Sequence, residues 1–164
     1  MIRTLPRVAH EHHERLMGQV DRMPALGDLV GTASPAELRP LVDDAVKFLT
    51  GLLIPHMEAA ERTLYPELER MLQNRHSMTP MRREHTEIRQ LVDELVLVRT
   101  HLDKDRLTTG ETLALRRVVF RLYYLLKVHL AEELLYVDIV ESGVSADAAE
   151  ALAAAMKHGD GEEA

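Results

Sequence analysis

The 164-residue chain has no cysteine and no tryptophan, and only four tyrosines and two phenylalanines. The lack of cysteine excludes disulfides, thiolate zinc sites, iron–sulfur clusters and cysteine nucleophiles. Because aromatic side chains are so few, leucine, valine, methionine and alanine must pack the interior, which favours helices over a β-sandwich. Any metal site must therefore use imidazole and carboxylate ligands.

Two further absences narrow the class of protein. The formal net charge is −7 and no stretch concentrates lysine and arginine, which argues against nucleic-acid binding. The sequence also has no charged-then-apolar leader and no apolar run long enough to span a bilayer. We therefore expect a soluble cytoplasmic protein with neither nucleic acid nor membrane as a partner.

Apolar residues recur at helical spacing in four long segments. These segments run from Thr4 to about Met23, from Ser34 to about Leu72, from about Thr79 to Leu102, and from about Leu115 to Gly143. In the second, Ser34, Pro35 and Glu37 form a typical helix start, and the stretch before it, from Gly27 to Pro35, is predicted to be a loop. Pro55 and Pro66 fall inside the second segment and predict kinks or a break.

Four amphipathic helices with modest connections predict an all-α fold, an antiparallel up-down four-helix bundle. A short alanine-rich fifth helix, capped by Ser145, is expected to lie across it. We expect one domain over residues 1–158 and a disordered polar tail over 159–164. The sequence is compatible with a monomer or a homodimer.

Four of the nine histidines lie on the apolar faces of four different helices: His13, His56, His85 and His129. The separation from His13 to His56 is 43 residues and that from His85 to His129 is 44, so two helical hairpins carry matched histidines. Packed face to face, these hairpins would bring four imidazoles to one level of the core. Burying four polar rings is costly unless something binds them all, so the pattern predicts a metal site.

Carboxylates accompany two of these histidines. Glu133 follows His129 by four residues, on the same face of the helix. The corresponding position after His56 is Ala60, and the nearest inward carboxylate is Glu61, one residue further on.

The first helix leaves two candidates open. The apolar frame of Ala9, Leu16 and Val20 favours His13, whereas matching the letters "EHxE" between the first and third helices favours His12. We predict His13 as the ligand.

The segment "HMEAAERTLYPELE" resembles the H-x-x-x-E-E-x-x-L-F/Y-P motif of the hemerythrin/HHE cation-binding family, and "HLAEELLY" resembles its second motif, H-x-x-x-E. The resemblance extends over the whole bundle. It implies a hemerythrin-like four-helix bundle that holds two non-haem irons between imidazoles and bridging carboxylates. It also implies a small ligand such as dioxygen, peroxide or nitric oxide.

Carried over residue by residue, the resemblance matches His13, His56, His85, His129 and Glu133. The sequence departs from the family pattern at two places, which weakens the case for a plain oxygen carrier. Ala60 occupies the place of the first bridging glutamate, and Arg89 stands where oxygen carriers have a second histidine on the third helix.

The predicted ligand set is His13, His56, Glu61, His85, His129 and Glu133, with Glu61 as the second carboxylate. We expect these residues to hold two iron ions, for which zinc or manganese can substitute. Binding, sensing or processing of a small oxidant is the predicted function. The alternatives are enzymatic turnover of peroxide or nitric oxide, and a mononuclear or metal-poor module acting in sensing or partner binding.

Overall fold

A computed structural model describes residues 5–143, with side chains described from residue 10 to residue 140. Within this range the chain is helical and contains no strand. The helices are α1 (Leu5–Val20), α2 (Met23–Leu29), α3 (Pro35–Phe48), α4 (Ile54–Arg62), α5 (Leu64–Met71), α6 (Thr79–Arg99) and α7 (Thr109–Gly143), with a π-helical segment, Leu49–Leu53, before α4 and a 3₁₀ turn, Thr100–Asp103, after α6. The predicted fifth helix and tail lie outside the described residues.

The all-α bundle predicted from the sequence is confirmed. Helix α7 packs against α1, α2, α5 and α6, and α6 also contacts α3 and α4. The segments α3, α4 and α5 together form one of the four long helical segments of the bundle, and α1, α6 and α7 form the other three. None of the helices between residues 5 and 143 is both long and apolar enough to cross a membrane.

The predicted start of the second long helix is confirmed at Ser34. Its side chain accepts a hydrogen bond from the backbone N–H of Glu37, and the Glu37 carboxylate accepts one from the backbone N–H of Ser34 at 2.8 Å. This capping box satisfies N–H groups that would otherwise lack partners at the helix end.

Pro55 and Pro66 both coincide with irregular backbone, as the sequence predicts, whereas Pro40 lies inside the regular helix α3. The π-helical segment Leu49–Leu53 directly precedes the turn that contains Pro55. Thr63, with φ −123° and ψ −56°, separates α4 from α5, three residues before Pro66. A proline ring clashes with the carbonyl four residues earlier and cannot donate to it, so a continuous α-helix is disfavoured at both places.

The prediction of a loop beginning at Gly27 is wrong in its first part. The first helix ends at Val20, and residues Met23–Leu29 form the additional helix α2. Gly27 lies inside this helix and is buried, and a Cβ at that position would lie 2.7 Å from the Phe120 ring. The glycine therefore permits close packing of α2 on α7, whereas the sequence alone suggested a turn.

The core consists of two clusters of buried apolar side chains. The larger runs along the bundle and includes Leu16, Leu53, Ile88 and Leu126. The smaller contains Ala60, Leu64, Tyr65, Leu68, Met78, Met81, Val137 and Val140. On α6, His85 lies in sequence between the two clusters, and on α7 Glu133 does the same. His56 and His129 lie next to Met57 and Leu130, the last members of the larger cluster before the smaller one begins on α4 and α7. The core thus leaves one polar level in an otherwise apolar interior.

Candidate metal centre

Six buried polar side chains from four helices meet at this level. His12 and His13 come from α1, His56 from α4, His85 from α6, and His129 and Glu133 from α7; of these His56, His85, His129 and Glu133 have no exposed surface. Each arises from a helix whose neighbouring residues on the same face are apolar, so packing of the two clusters carries the polar rings inward.

The first group of donor atoms is formed by His13, His56 and Glu133. Glu133 Oε2 lies 2.6 Å from His56 Nε2 and 3.1 Å from His13 Nε2. All three ligand atoms lie within 4.8 Å of one another, a spacing that can hold a metal ion.

The second group of donor atoms is formed by His85, His129 and Glu133. The Nε2 atoms of His85 and His129 lie 3.1 Å apart. Glu133 belongs to both groups, so one fully buried carboxylate joins two potential metal positions.

In the second group, the Nδ1 atoms of both histidines point away from Glu133 and contact carboxylates, so that the Nε2 atoms face inward. His85 Nδ1 lies 2.6 Å from Glu61 Oε1, and His129 Nδ1 lies 2.9 Å from Glu84 Oε2. A carboxylate accepts a hydrogen bond only from a protonated nitrogen, so both Nδ1 atoms donate. In neutral rings the Nε2 atoms then carry lone pairs, the state that binds a metal.

The charge state of the centre follows from burial. Burial and the neighbouring His129 ring lower the pKa of His85 to about 4, and burial lowers the pKa of His56 as well. Burial alone would raise the pKa of Glu133, but the adjacent His56 and the hydrogen bonds from His13 and His56 outweigh it and hold that pKa well below its ordinary value. The buried carboxylate is therefore ionised, and the His85 ring is neutral at pH 7.

The donor set fits a resident metal cation on two counts. Glu133 is fully buried and held by hydrogen bonds from two histidines and a tyrosine, so a cation at the same place would neutralise its negative charge. In addition, the inward Nε2 lone pairs of His85 and His129 face each other at 3.1 Å, an arrangement that a cation between them would stabilise. Imidazole and carboxylate donors suit iron, zinc and manganese.

Glu61, predicted as the second carboxylate ligand, lies behind His85. Besides His85 Nδ1, its Oε1 accepts hydrogen bonds from the Arg89 guanidinium at 3.1 and 3.2 Å. Burial tends to raise its pKa, but these two partners outweigh that effect and lower it. In this arrangement Glu61 orients a histidine and stands outside both groups of donor atoms.

The two candidates on α1 take different places. His13 joins the first group, whereas His12 Nε2 lies 2.8 Å from His56 Nδ1, on the outer side of that ring. The Arg15 guanidinium approaches His12 Nδ1 at 3.4 Å. The geometry thus favours His13 as the ligand candidate and His12 as the residue that orients His56.

Sequence reasoning left two neighbours of the site unassigned. Glu84 lies one residue before His85 yet contacts His129, a pairing across helices that spacing along one helix does not reveal. Tyr65 is fully buried, and its hydroxyl lies 3.0 Å from His85 Nε2 and 3.1 Å from Glu133 Oε1. The motif contained this tyrosine, but nothing in it distinguished Tyr65 from the other three tyrosines.

Fold and site together define a helical-bundle protein with a buried histidine–carboxylate centre suited to metal cations. The family model described as the hemerythrin HHE cation binding domain matches residues 4–133. The chain belongs to this family. No curated protein and no solved structure matches it.

Proposed function

We propose that the protein holds two non-haem iron ions, one in each group of donor atoms, with Glu133 as the carboxylate shared between them. His13 and His56 would bind one ion, and His85 and His129 the other. The single observation that carries this proposal is the membership of Glu133 in both groups. Zinc and manganese accept the same donors and are the expected substitutes.

In this proposal Glu61 holds the His85 ring rather than binding metal. Its contacts with His85 Nδ1 and Arg89 support that role. A carboxylate on the outer nitrogen of a metal-binding histidine fixes the tautomer and raises the basicity of the ring. This role differs from the ligand role predicted from the sequence, and the Glu61→Gln variant separates the two, because loss of a ligand lowers stoichiometry whereas loss of an orienting group lowers affinity.

The ligand of the loaded protein is proposed to be a small oxidant: dioxygen, peroxide or nitric oxide. Bound iron would supply reversible electron transfer and an open coordination position for such a molecule. The protein's own contribution is a site whose donors are buried in the core, which excludes larger molecules. Each group of donor atoms also contains only three residues, which leaves room for an exogenous ligand.

The test is metal content per chain, determined by elemental analysis of protein loaded with iron, together with its absorption spectrum. Two irons per chain are expected for the wild type. Glu133→Gln should lower the stoichiometry, because it removes the shared charge at nearly constant volume. The matched control is Glu132→Gln, a neighbouring exposed position, which should retain two irons. Unchanged stoichiometry in Glu133→Gln would rule out the proposed bridge.

A second candidate is turnover of peroxide or nitric oxide at the same centre. It is favoured by Arg89, whose guanidinium binds Glu61, so the position four residues after His85 supplies no ligand. Rapid consumption of peroxide by the iron-loaded protein, lost in His56→Ala, is the expected result. Reversible oxygen binding without turnover would instead identify a carrier or sensor.

The alternative of a metal-poor module in sensing or partner binding makes the opposite prediction. Such a protein would contain no stoichiometric metal after loading, and a chelator would leave its stability unchanged. Iron binding at two per chain excludes it, and one ion per chain would indicate a mononuclear site.

A further inference from the structure

We propose that the phenol oxygen of Tyr65 is a ligand of the ion held by His85, His129 and Glu133, so that the two halves of the centre are chemically different. This inference rests on the proposed function, since it assigns a further ligand at the same site. It concerns only the second group of donor atoms, formed by His85, His129 and Glu133.

The contacts of the hydroxyl carry the proposal. Tyr65 Oη lies 3.0 Å from His85 Nε2 and 3.1 Å from Glu133 Oε1, both of which are donor atoms facing the second group. The hydroxyl therefore stands among the atoms that would surround the ion, and not on the outer side of a histidine as Glu61 and Glu84 do.

The apolar surroundings of the Tyr65 ring do not require its hydroxyl, whose contacts are with His85 and Glu133. Its ring packs in the smaller apolar cluster with Ala60, Leu64 and Leu68, which positions the side chain without requiring a hydroxyl. The ring also stacks on His85, with centroids 5.4 Å apart and planes inclined by 28°, and the Arg82 guanidinium lies over its face. A phenylalanine would fill the same space, so the hydroxyl is explained by what it touches.

Tyr65 can supply the oxygen ligand that is missing because the residue at position 60 is an alanine. The resemblance places a bridging carboxylate at Ala60, but that residue is buried in the apolar cluster and has no donor atom. The hydroxyl of Tyr65 supplies an oxygen on the side of the second group. The first group, formed by His13 and His56, receives no corresponding oxygen from Tyr65.

Two carboxylates lie on the outer side of the second half of the centre. Both of its histidines donate from Nδ1 to these carboxylates, Glu61 and Glu84. Carboxylates on outer nitrogens increase the basicity of the rings. A hard, highly charged ion such as iron(III) is favoured by this surrounding, and phenolate oxygen is a hard donor.

Binding of the phenol oxygen to the metal requires the loss of one proton. The phenol O–H bond breaks, the oxygen supplies both electrons of the new bond to the metal, and the proton is released to water, as is usual when metals bind ionisable ligands. No oxidation state changes.

The experiment uses the full chain loaded with iron(III). Phenolate bound to iron(III) gives a visible charge-transfer band and enhanced tyrosinate ring modes in resonance Raman spectra. We expect both in the wild type and neither in Tyr65→Phe. Tyr136→Phe, which makes the same chemical change at a half-buried residue on the same apolar cluster, is the matched control and should retain both signals.

A second variant keeps the test decisive even if Tyr65→Phe does not fold. The chain has four tyrosines, so the triple variant Tyr123→Phe/Tyr124→Phe/Tyr136→Phe leaves Tyr65 as the only one. It should keep the band at wild-type intensity. A band that survives in Tyr65→Phe, or that disappears in the triple variant, would overturn the assignment.

Iron stoichiometry separates failure of this inference from failure of the proposed function. Two irons per chain without any phenolate signal would overturn the role of Tyr65 and leave the di-iron proposal standing. Absence of stoichiometric metal from the wild type would overturn both.

Discussion

Ala60 and Tyr65 are both fully buried in the same apolar cluster, although they lie five residues apart on opposite sides of Thr63. In a continuous α-helix, five residues correspond to a rotation of about 140°, which would turn one of the two away from the core. The interruption at Thr63, three residues before Pro66, brings both to the inside. The alanine at the position where the family resemblance places a carboxylate and the phenol of Tyr65 therefore both belong to the core.

Restoring the carboxylate tests this arrangement. Ala60→Glu places a larger, ionisable group in a fully buried apolar position, so the free energy of unfolding of the metal-free protein should fall by about 2 kcal/mol or more. Iron should recover much of the loss, since the new carboxylate gains a cation. Chemical denaturation with and without iron measures both effects.

The control for that substitution is Ala60→Gln, which adds nearly the same volume without charge. It should be destabilised in the metal-free state, yet recover less on addition of iron. Equal recovery in the two variants would show that the carboxylate does not reach the centre.

The neighbouring histidines of α1 should have separable effects. His13→Ala removes a donor of the first group and should reduce bound iron from two ions to one at saturation. His12→Ala should retain two ions but weaken binding by about tenfold, because His12 only orients His56 through its Nδ1 atom. Elemental analysis and chelator competition distinguish the outcomes, and the reverse pattern would make His12 the ligand.

Glu84 should act through His129. Glu84→Gln weakens the acceptor of the His129 Nδ1–H bond, so metal affinity should fall by about 10–100-fold while stoichiometry at saturation is kept. Glu87→Gln, at an exposed position on the same helix, should leave affinity unchanged. Chelator competition provides the measurement. Equal affinities for the two variants would contradict the role of Glu84.

Stability of the metal-free protein should depend on pH through the buried histidines. The pKa of His85 is lowered to about 4 in the folded state, whereas the unfolded ring takes up its proton near the ordinary value of 6.5. Between these values the unfolded chain binds more protons, so stability is lost as pH falls from about 6.5 towards 4. The contribution of this ring is of the order of 3 kcal/mol.

Urea denaturation of chelator-treated protein at pH 7 and at pH 5 checks this prediction. His85→Gln should reduce the difference between the two, because the substituted side chain does not titrate. His76→Gln, at an exposed position, should not change it. A pH dependence identical in all three proteins would refute the assignment to His85.

The sequence by itself determined the four long helical segments, but not α2, and it placed the candidate site histidines on their inward faces. Apolar spacing predicts which face of each helix turns inward, because successive residues are about 100° apart around the axis, and His56, His85, His129 and Glu133 all lie on such faces. The capping residues at Ser34 and the interruptions near Pro55 and Pro66 were also readable, since their causes are local.

Tertiary structure decided what each polar atom faces. His12 and His13 are adjacent and both buried, and only packing of α1 against α4 and α7 places one beside Glu133 and the other behind His56. Packing likewise places the Glu61 carboxylate against His85 Nδ1 and the Tyr65 hydroxyl against Glu133, contacts that spacing along the chain does not reveal. Spacing along a helix determines only which face of the helix a side chain lies on. Its rotamer and its hydrogen-bond partner depend on how the neighbouring helix packs, and that packing depends on the side chains of the whole core.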